Sequence, residues 1–421
     1  MGTTFAYQDK ILGLRAQAEV QNRWLRLRLD KVLPELMERT GFDMWIVIAR
    51  EYNEDPVIMS LLPEPEMAAR RRTILVFTLQ ESGEVECLTV GRYPIAGFYQ
   101  HVWDPERESQ YACLARIVAE RDPQSIGCNV SETFAFGDGI SYSEYQQLTT
   151  TLDSKYVSRL QGAERLALGW LERRSREELT VYPGLVEMGH ALIAEAFSSQ
   201  IIQPGITTTE DVVWWFRQKM SDLGLRAWFQ PTVDIQAQGQ SYDQEGDVRK
   251  LIMPGDLLHC DVGFVYLGLC TDQQQNAYVL KADESHPPEE LAALLSEANR
   301  LQDIHLKEMV LGRTGNQVLA AALSRAKMEK IEPSIYTHPL GYHGHAAGPT
   351  IGLWDQQDGV PGQGDYCLFD QTCYAIELNA KGNVSAWDGQ QVRMALEEDA
   401  VLENGQARWL SGRQTSLHVI G

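Results

Sequence analysis

Helical and strand patterns alternate along this chain of 421 residues, and that alternation constrains its fold most. Apolar residues recur at helical spacing over residues 22–40, and short β-branched runs follow at residues 43–48 and 73–78. Another such run at residues 85–90 comes after a turn that contains glycine, which predicts a hairpin. Helix and strand signals that alternate in this way indicate the α/β class.

The length and the later helix signals predict two domains, residues 1–160 and residues 161–421. At about 150 residues per domain, the chain suggests two to three of them. A long helical pattern covers residues 175–198, soon after the predicted boundary. A threonine followed by two acidic residues then opens another helix near residue 209, as an N-cap and an acidic first turn would. After residue 225 most signals indicate strands, apart from helical patterns at residues 288–310 and 316–328.

Composition excludes several classes of partner. The chain has 58 acidic and 37 basic residues, a formal net charge of −21, which argues against nucleic acid or anionic membranes as partners. No apolar run approaches the roughly 18 residues that span a bilayer, and no signal-peptide pattern opens the chain. We therefore expect a cytoplasmic protein, with a removed secretion signal as the open alternative. The seven scattered cysteines include no CxxC pair, which favours core residues over disulfides or a thiolate zinc site.

Acidic residues interrupt strand-like apolar segments in the second half of the chain. Asp261 and Asp272 lie eleven residues apart across a predicted hairpin and can point at one spot. Two buried carboxylates at such a short distance repel each other unless they bind a cation or share a proton. The alternative interpretation is that the two acids form ion pairs or stay exposed. Glu377 interrupts another apolar segment, and buried glutamates are rarely unpaired. Three acids break the apolar segment at residues 391–402, where a solvated turn is the alternative interpretation.

Three histidines, His338, His343 and His345, fall within eight residues among glycines and a proline. A single histidine is more often structural than a ligand, but this grouping favours a functional role. The chain thus offers Asp, Asp, His, Glu and Glu in that order, a hard, oxygen-rich set that suits two divalent ions such as Mn²⁺, Co²⁺ or Zn²⁺. Two ions about 3.5–4 Å apart can hold a hydroxide and polarise a carbonyl, which is machinery for amide hydrolysis.

This order of residues resembles the pita-bread metallohydrolase family of methionine aminopeptidase, aminopeptidase P, prolidase and creatinase. GDLLHCDVG at residues 255–263, followed by TD at residues 271–272, is similar to the family's aspartate motif in residues and spacing. Further similarities are HPLG at residues 338–341, IEL at residues 376–378 and EDAVL at residues 398–402. The resemblance covers residues 165–415 well and residues 1–155 loosely. It implies a creatinase-like α/β N-terminal domain followed by a pita-bread (α+β) catalytic domain.

The resemblance also implies roles for individual residues. Its metal ligands would be Asp261, Asp272, His343, Glu377 and Glu398, and its catalytic residues His338, Glu377 and His345. Because Tyr342 is an apparent extra residue, His345 is the alternative to His343 as the ligand. Glu377 would carry a proton from the attacking water to the leaving amine, and His338 would stabilise the developing oxyanion.

The implied function is a dinuclear metallopeptidase that cleaves Xaa-Pro bonds in short peptides, as a dipeptidase or aminopeptidase and as a homodimer. Three departures from the family pattern count against it. Residues 231–247 lack a histidine, Asp272 is followed by three glutamines, and Thr350 and Trp354 stand where histidines are expected. Two alternatives therefore stay open: a creatinase-like hydrolase or lyase that does not cut peptides, and a catalytically inactive binding homologue.

Overall fold

The computed structural model of the chain describes residues 11–95, 97–240 and 250–421. The chain divides into two compact units, Gly13–Glu177 and a second unit that consists mainly of Glu178–Gly421. The predicted domain boundary near residue 160 falls in the strand Leu160–Gly162, inside the first unit. In the described ranges no helix is long and apolar enough to cross a membrane.

The first unit is a mixed sheet covered by helices. Its strands are β1 (Met44–Arg50), β2 (Arg72–Leu79), β3 (Val85–Thr89), β4 (Gln100–His101), β5 (Ile126–Cys128) and β6 (Leu160–Gly162). They lie in the order β4-β3-β2-β1-β5-β6, with β1 antiparallel to β2 and parallel to β5. The helices are α1 (Leu14–Leu27), α2 (Leu33–Thr40), α3 (Pro56–Leu61), α4 (Gln110–Arg121), α5 (Tyr142–Thr151), α6 (Ser154–Val157) and α7 (Glu164–Glu172). Apolar side chains of β1 pack with those of α4 in one core, which confirms the predicted α/β character.

The second unit is dominated by one large sheet. Its strands are β7 (Arg226–Ala227), β8 (Thr232–Gln236), β9 (Leu257–Val262), β10 (Phe264–Tyr266), β11 (Leu269–Cys270), β12 (Gln273–Val279), β13 (Glu332–Leu340), β14 (Thr372–Val384), β15 (Gln390–Glu403), β16 (Gln406–Trp409) and β17 (His418–Ile420). The large sheet has the order β13-β14-β15-β12-β9-β8, with β16 paired to β15 and β17 to β12. Strands β7, β10 and β11 form a separate small sheet.

Helices α8 (Arg176–Ala196), α9 (Thr209–Asp222), α10 (Glu289–Glu308) and α11 (Gly315–Met328) accompany this sheet. The expected N-cap of α9 is present, since Thr208 accepts a hydrogen bond from the backbone of Asp211. Apolar side chains of α10 and α11 share a core with Ile376 of β14 and Leu396 of β15. We call the face that carries Ile376 and Leu396 the outer face and the opposite one the inner face. Because side chains alternate along a strand, the neighbours of these two residues point to the inner face.

Candidate metal centre

A row of polar side chains crosses the inner face of the large sheet. The strand register places Asp261 of β9 opposite Gln274 of β12, and Gln274 opposite Glu397 of β15. Glu397 in turn lies opposite Glu377 of β14. Directly opposed residues of antiparallel strands share a face, so these four side chains form one continuous row. The hairpin and the two acidic strands selected from the sequence therefore meet here.

Two further residues complete a cluster at this row. Asp272 stands immediately before β12, and His338 lies on β13 next to β14. Asp272, His338 and Glu397 each offer one ligand atom, and these atoms lie within 4.8 Å of one another. The Nε2 atom of His338 is 3.3 Å from Glu397 Oε1 and 3.5 Å from Asp272 Oδ2. We call these three residues the metal cluster.

The metal cluster is buried, and it includes a carboxylate oxygen that has no hydrogen-bond partner among the described residues. Asp272 and His338 are 3% exposed and Glu397 is 1% exposed. Among the described residues, Asp272 Oδ1 has no hydrogen-bond partner, and neither does Asp261 Oδ1 beside the cluster. Burying a carboxylate oxygen without a partner is costly unless a cation is bound nearby. Carboxylates with one imidazole therefore fit a divalent cation at this position.

Proton affinities at the row follow from burial and from the crowding of acids. Burial raises the pKa of Asp261 to about 7. The charge of His259 acts against this rise, and the charge of Glu377 adds to it. Burial, together with neighbouring carboxylates, also holds the pKa values of Asp272 and Glu397 well above their usual range. Without a cation these acids bind protons more tightly than ordinary carboxylates do, so a cation would compete with protons for the same oxygens.

The pKa of His338 is raised although its imidazole is buried. Burial alone lowers the pKa of a histidine, but the adjacent Glu397 outweighs that effect and the pKa of His338 is raised. Its Nδ1 atom lies 3.0 Å from the carbonyl oxygen of Pro339. In that contact Nδ1–H donates to the carbonyl oxygen, which leaves Nε2 directed toward Asp272 and Glu397.

Glu398, a ligand implied by the resemblance, lies on the outer face, because it follows Glu397 directly in β15 and is opposed to Ile376 of β14. Its carboxylate accepts hydrogen bonds from Gln275 Nε2 (3.2 Å) and from the backbone N–H of Gln414 (2.9 Å). His190 Nε2 lies 2.6 Å from the other oxygen. The acid that reaches the metal cluster is thus Glu397, where Glu398 was expected.

The two remaining histidines take different positions. The ring of His345 lies edge-on to His338, with 4.7 Å between ring centroids, and 5.3 Å from Trp228. Burial lowers the pKa of His345 to about 4, helped by the neighbouring His338. His343 accepts a backbone hydrogen bond from Gly341 through its carbonyl oxygen. Among the described residues the metal cluster includes neither His343 nor His345, and its imidazole comes from His338.

The departures from the family pattern have structural counterparts. Thr350 is buried and its hydroxyl donates to Gln363, whereas Trp354 is 79% exposed. Residues 241–247 of the stretch without histidine lie outside the described residues. Of the glutamines after Asp272, Gln274 lies within the acidic row on the inner face, while Gln275 contacts Glu398 on the outer face. Gln274 and Glu397 are members of the row that were not among the expected site residues.

The fold and the cluster together define a two-unit α/β protein with a buried acid–histidine centre on a large antiparallel sheet. Residues 186–399 match the family described as metallopeptidase family M24. This segment makes up half of the chain and includes the metal cluster and the acidic row. The chain belongs to metallopeptidase family M24, and the resemblance to prolidase-like members is confirmed.

Solved structures share the fold across both units. The X-Pro aminopeptidase of Thermotoga maritima is 16% identical at a TM-score of 0.63, with 91% of this chain and 99% of that one covered. A dipeptidase of Pyrococcus horikoshii is 18% identical at a TM-score of 0.60, with 94% and 100% covered. The N-terminal domain of the FACT complex subunit SPT16 from Eremothecium gossypii is 12% identical at a TM-score of 0.62, with 94% and 97% covered. No curated protein sequence matches the chain.

Proposed function

We propose that this protein is a metal-dependent peptidase that hydrolyses short peptides at Xaa-Pro bonds. The observation that carries the proposal is the buried metal cluster of Asp272, His338 and Glu397, beside carboxylate oxygens that have no hydrogen-bond partner among the described residues. Membership of metallopeptidase family M24 supports peptide hydrolysis. The Xaa-Pro preference rests on the resemblance and on a fold shared with an X-Pro aminopeptidase.

In this proposal Asp272, His338 and Glu397 hold a divalent cation such as Mn²⁺, Co²⁺ or Zn²⁺. When bound, the cation acts as a Lewis acid that polarises the peptide carbonyl and lowers the pKa of a water molecule. The remaining work falls to side chains around it. Glu377 lies on the same face with its side chain half-buried, so its carboxylate can accept a proton from water and return it to the leaving amine.

His345 is the candidate for contact with the substrate. Its ring lies against His338, and its low pKa keeps it neutral near pH 7. A neutral imidazole has one N–H donor, which can stabilise negative charge on the carbonyl oxygen. The resemblance assigned that role to His338, but His338 directs Nε2 to two carboxylates, so His345, the more exposed of the two rings, suits the role better. Homodimer formation and a preference for manganese stay predictions of the resemblance.

The direct test is the release of proline from Xaa-Pro dipeptides and of the first residue from longer Xaa-Pro peptides. Protein loaded separately with Mn²⁺, Co²⁺ or Zn²⁺ should cleave at least one of these substrates, and chelation should stop the reaction. Glu377→Gln should lower kcat by roughly 10²–10⁴, the range of general acid–base catalysis. The matched control is Glu332→Gln, an exposed acid on β13, which should leave kcat unchanged. Absence of cleavage with every metal would refute the peptidase assignment.

A second candidate is a creatinase-like hydrolase or lyase that does not cut peptides. It is favoured by Gln274 in the acidic row and by Thr350 and Trp354 at positions where peptidases of the family carry histidines. A protein that binds metal at the cluster yet cleaves no peptide would support this candidate. The inactive binding homologue predicts instead that small guanidino compounds and peptides both remain intact.

A further inference from the structure

The side-chain amide of Gln274 bridges two acids of the row. Its Nε2 atom lies 2.9 Å from Glu397 Oε2 and 3.4 Å from Asp261 Oδ2. Gln274 is 4% exposed, so water does not compete for these contacts. The amide nitrogen has two N–H donors, which matches two carboxylate oxygens on either side. Gln274 thus joins Asp261 to Glu397 by hydrogen bonds from one nitrogen.

His259 contacts the oxygen end of the amide. Its Nε2 atom lies 3.0 Å from Gln274 Oε1, and the ring is buried on β9. Its Nδ1 atom makes no hydrogen bond within 3.5 Å in the described part of the chain, and Asp234 Oδ2 lies 3.8 Å from it. Because ionised carboxylates only accept hydrogen bonds, Asp261 and Glu397 face the amide nitrogen of Gln274, and its Oε1 atom is left to accept from an N–H of His259. His259 therefore donates to Oε1 of Gln274, and the amide N–H groups point toward Asp261 and Glu397.

This arrangement bears on how many cations the site can hold. A cation between Asp261 and Glu397 would face the N–H groups of Gln274, and an amide nitrogen that donates two hydrogen bonds is not a metal ligand. The metal cluster, in contrast, directs His338 and two carboxylates at one position and does not include Asp261. One position on the inner face is thus arranged for a cation, and the adjacent one is occupied by an amide.

We propose that this site binds a single divalent cation at Asp272, His338 and Glu397, and that Gln274 fills the position a second cation would need. This inference rests on the metal binding of the proposed function and replaces the expectation of two ions. It assigns Gln274 as a positioning residue whose amide fixes Asp261 and Glu397 on either side of it, and His259 as the hydrogen-bond donor to that amide. Asp261 then serves as a hydrogen-bond acceptor beside the ion.

The test is the number of metal ions per chain. Purified full-length protein is stripped with a chelator, titrated with Mn²⁺, desalted and measured by inductively coupled plasma mass spectrometry. We expect one tightly bound Mn²⁺ per chain and the electron paramagnetic resonance spectrum of an isolated ion. Two ions per chain, or the spectrum of an exchange-coupled pair, would overturn the inference and leave the peptidase proposal intact. One ion without peptide cleavage would refute the peptidase proposal alone, and no bound ion would refute both.

Substitution of the amide tests the same inference in the opposite direction. Gln274→Thr removes the bridging donors and opens space between Asp261 and Glu397, so the count should rise toward two. The matched control is Gln275→Thr in the next position, which contacts Glu398 on the outer face and should keep a count of one. A Gln274→Thr protein that folds, as judged by its thermal unfolding, and still binds one ion would contradict the role of the amide. If that variant does not fold, the wild-type count and spectrum decide.

Discussion

Strand β15 carries two adjacent glutamates in opposite chemical situations. Glu398 on the outer face is 0% exposed and satisfied: it accepts from Gln275 and Gln414, and His190 lies within hydrogen-bond distance. Glu397 on the inner face is equally buried, but its neighbours are mostly other acids and its pKa is held well above its usual range. Burial is the same on the two faces, and the supply of hydrogen-bond donors differs.

The contrast between the two glutamates separates structural acids from candidate ligands. A buried carboxylate surrounded by donors costs little and stabilises the packing of the elements that supply them. A buried carboxylate among other acids is unfavourable in the absence of a cation, so its environment is better explained by binding than by stability. On this sheet the outer face is therefore the structural one and the inner face is the candidate functional one.

The largest expected effect comes from exchanging each glutamate for its amide. Glu397→Gln removes a charged ligand from the metal cluster, and we expect Mn²⁺ affinity and kcat/KM to fall by about a thousandfold, beyond the 10–100-fold loss typical of residues behind the ligands. Glu398→Gln should leave Mn²⁺ affinity within a few-fold of wild type. It should instead lower the free energy of unfolding by about 1–3 kcal/mol, because an amide satisfies the donors around it less well.

Both variants require the same pair of measurements, metal affinity by calorimetric titration and stability by urea unfolding. The comparison between the faces fails if Glu398→Gln loses metal while Glu397→Gln keeps it. That outcome would return the ligand role to Glu398, as the family resemblance implies.

Much of the fold was predictable because it follows from local patterns. The helix over residues 22–40, the hairpin of β2 and β3 and the N-cap at Thr208 are signalled by apolar spacing, a glycine turn and a capping residue, all within a few positions. The two faces of β15 carry a signal of this kind too. Val392, Met394 and Leu396 alternate with the other positions and belong to the helix-covered core, so an odd-numbered acid should face away from it.

The rest of the site depends on which strands are neighbours. That Gln274 lies between Asp261 and Glu397 follows from β12 pairing with both β9 and β15, and the pairing with β15 joins residues 123 positions apart in sequence. Nothing local distinguishes Gln274 from Gln275 on either side of the strand. The position of His338 at the metal cluster likewise requires β13 to lie next to β14. The order of the motifs predicted which residue types meet at the site. The long-range strand register determined which member of each adjacent pair, such as Glu397 or Glu398, lies there.

His305 of α10 departs from the contrast between the faces, because it is an unsatisfied polar group on the structural side. Both its ring nitrogens are buried without hydrogen-bond partners among the described residues, and burial lowers its pKa to about 4. Below its ordinary value of 6.5 the unfolded chain binds a proton here and the folded chain does not. Stability should therefore decrease as the pH falls from about 6.5 to 4, by up to about 3 kcal/mol from this residue.

The measurement is the free energy of urea unfolding at pH 7 and at pH 4.5 in wild type and in His305→Leu. The variant should lose less stability on acidification, and its Mn²⁺ affinity at pH 7 should match that of wild type. His286→Leu, at an exposed histidine, is the control and should show the wild-type pH dependence. A loss of metal binding in His305→Leu would mean that an unsatisfied group on the outer face also serves the site.

The smallest effect concerns the capping box of α11 on the outer face. The Thr314 hydroxyl accepts from the backbone of Gln317 (3.2 Å), and the Gln317 side chain accepts from the backbone of Thr314 (3.0 Å). Thr314→Ala leaves a backbone N–H of the first turn without its acceptor, which should cost about 1 kcal/mol of unfolding free energy. Thr314→Ser keeps the hydroxyl and should therefore keep most of the wild-type free energy of unfolding. Helix α11 contributes to the core on the outer face, so neither variant should change the number of Mn²⁺ ions bound. A change in that number would show that the two faces are coupled.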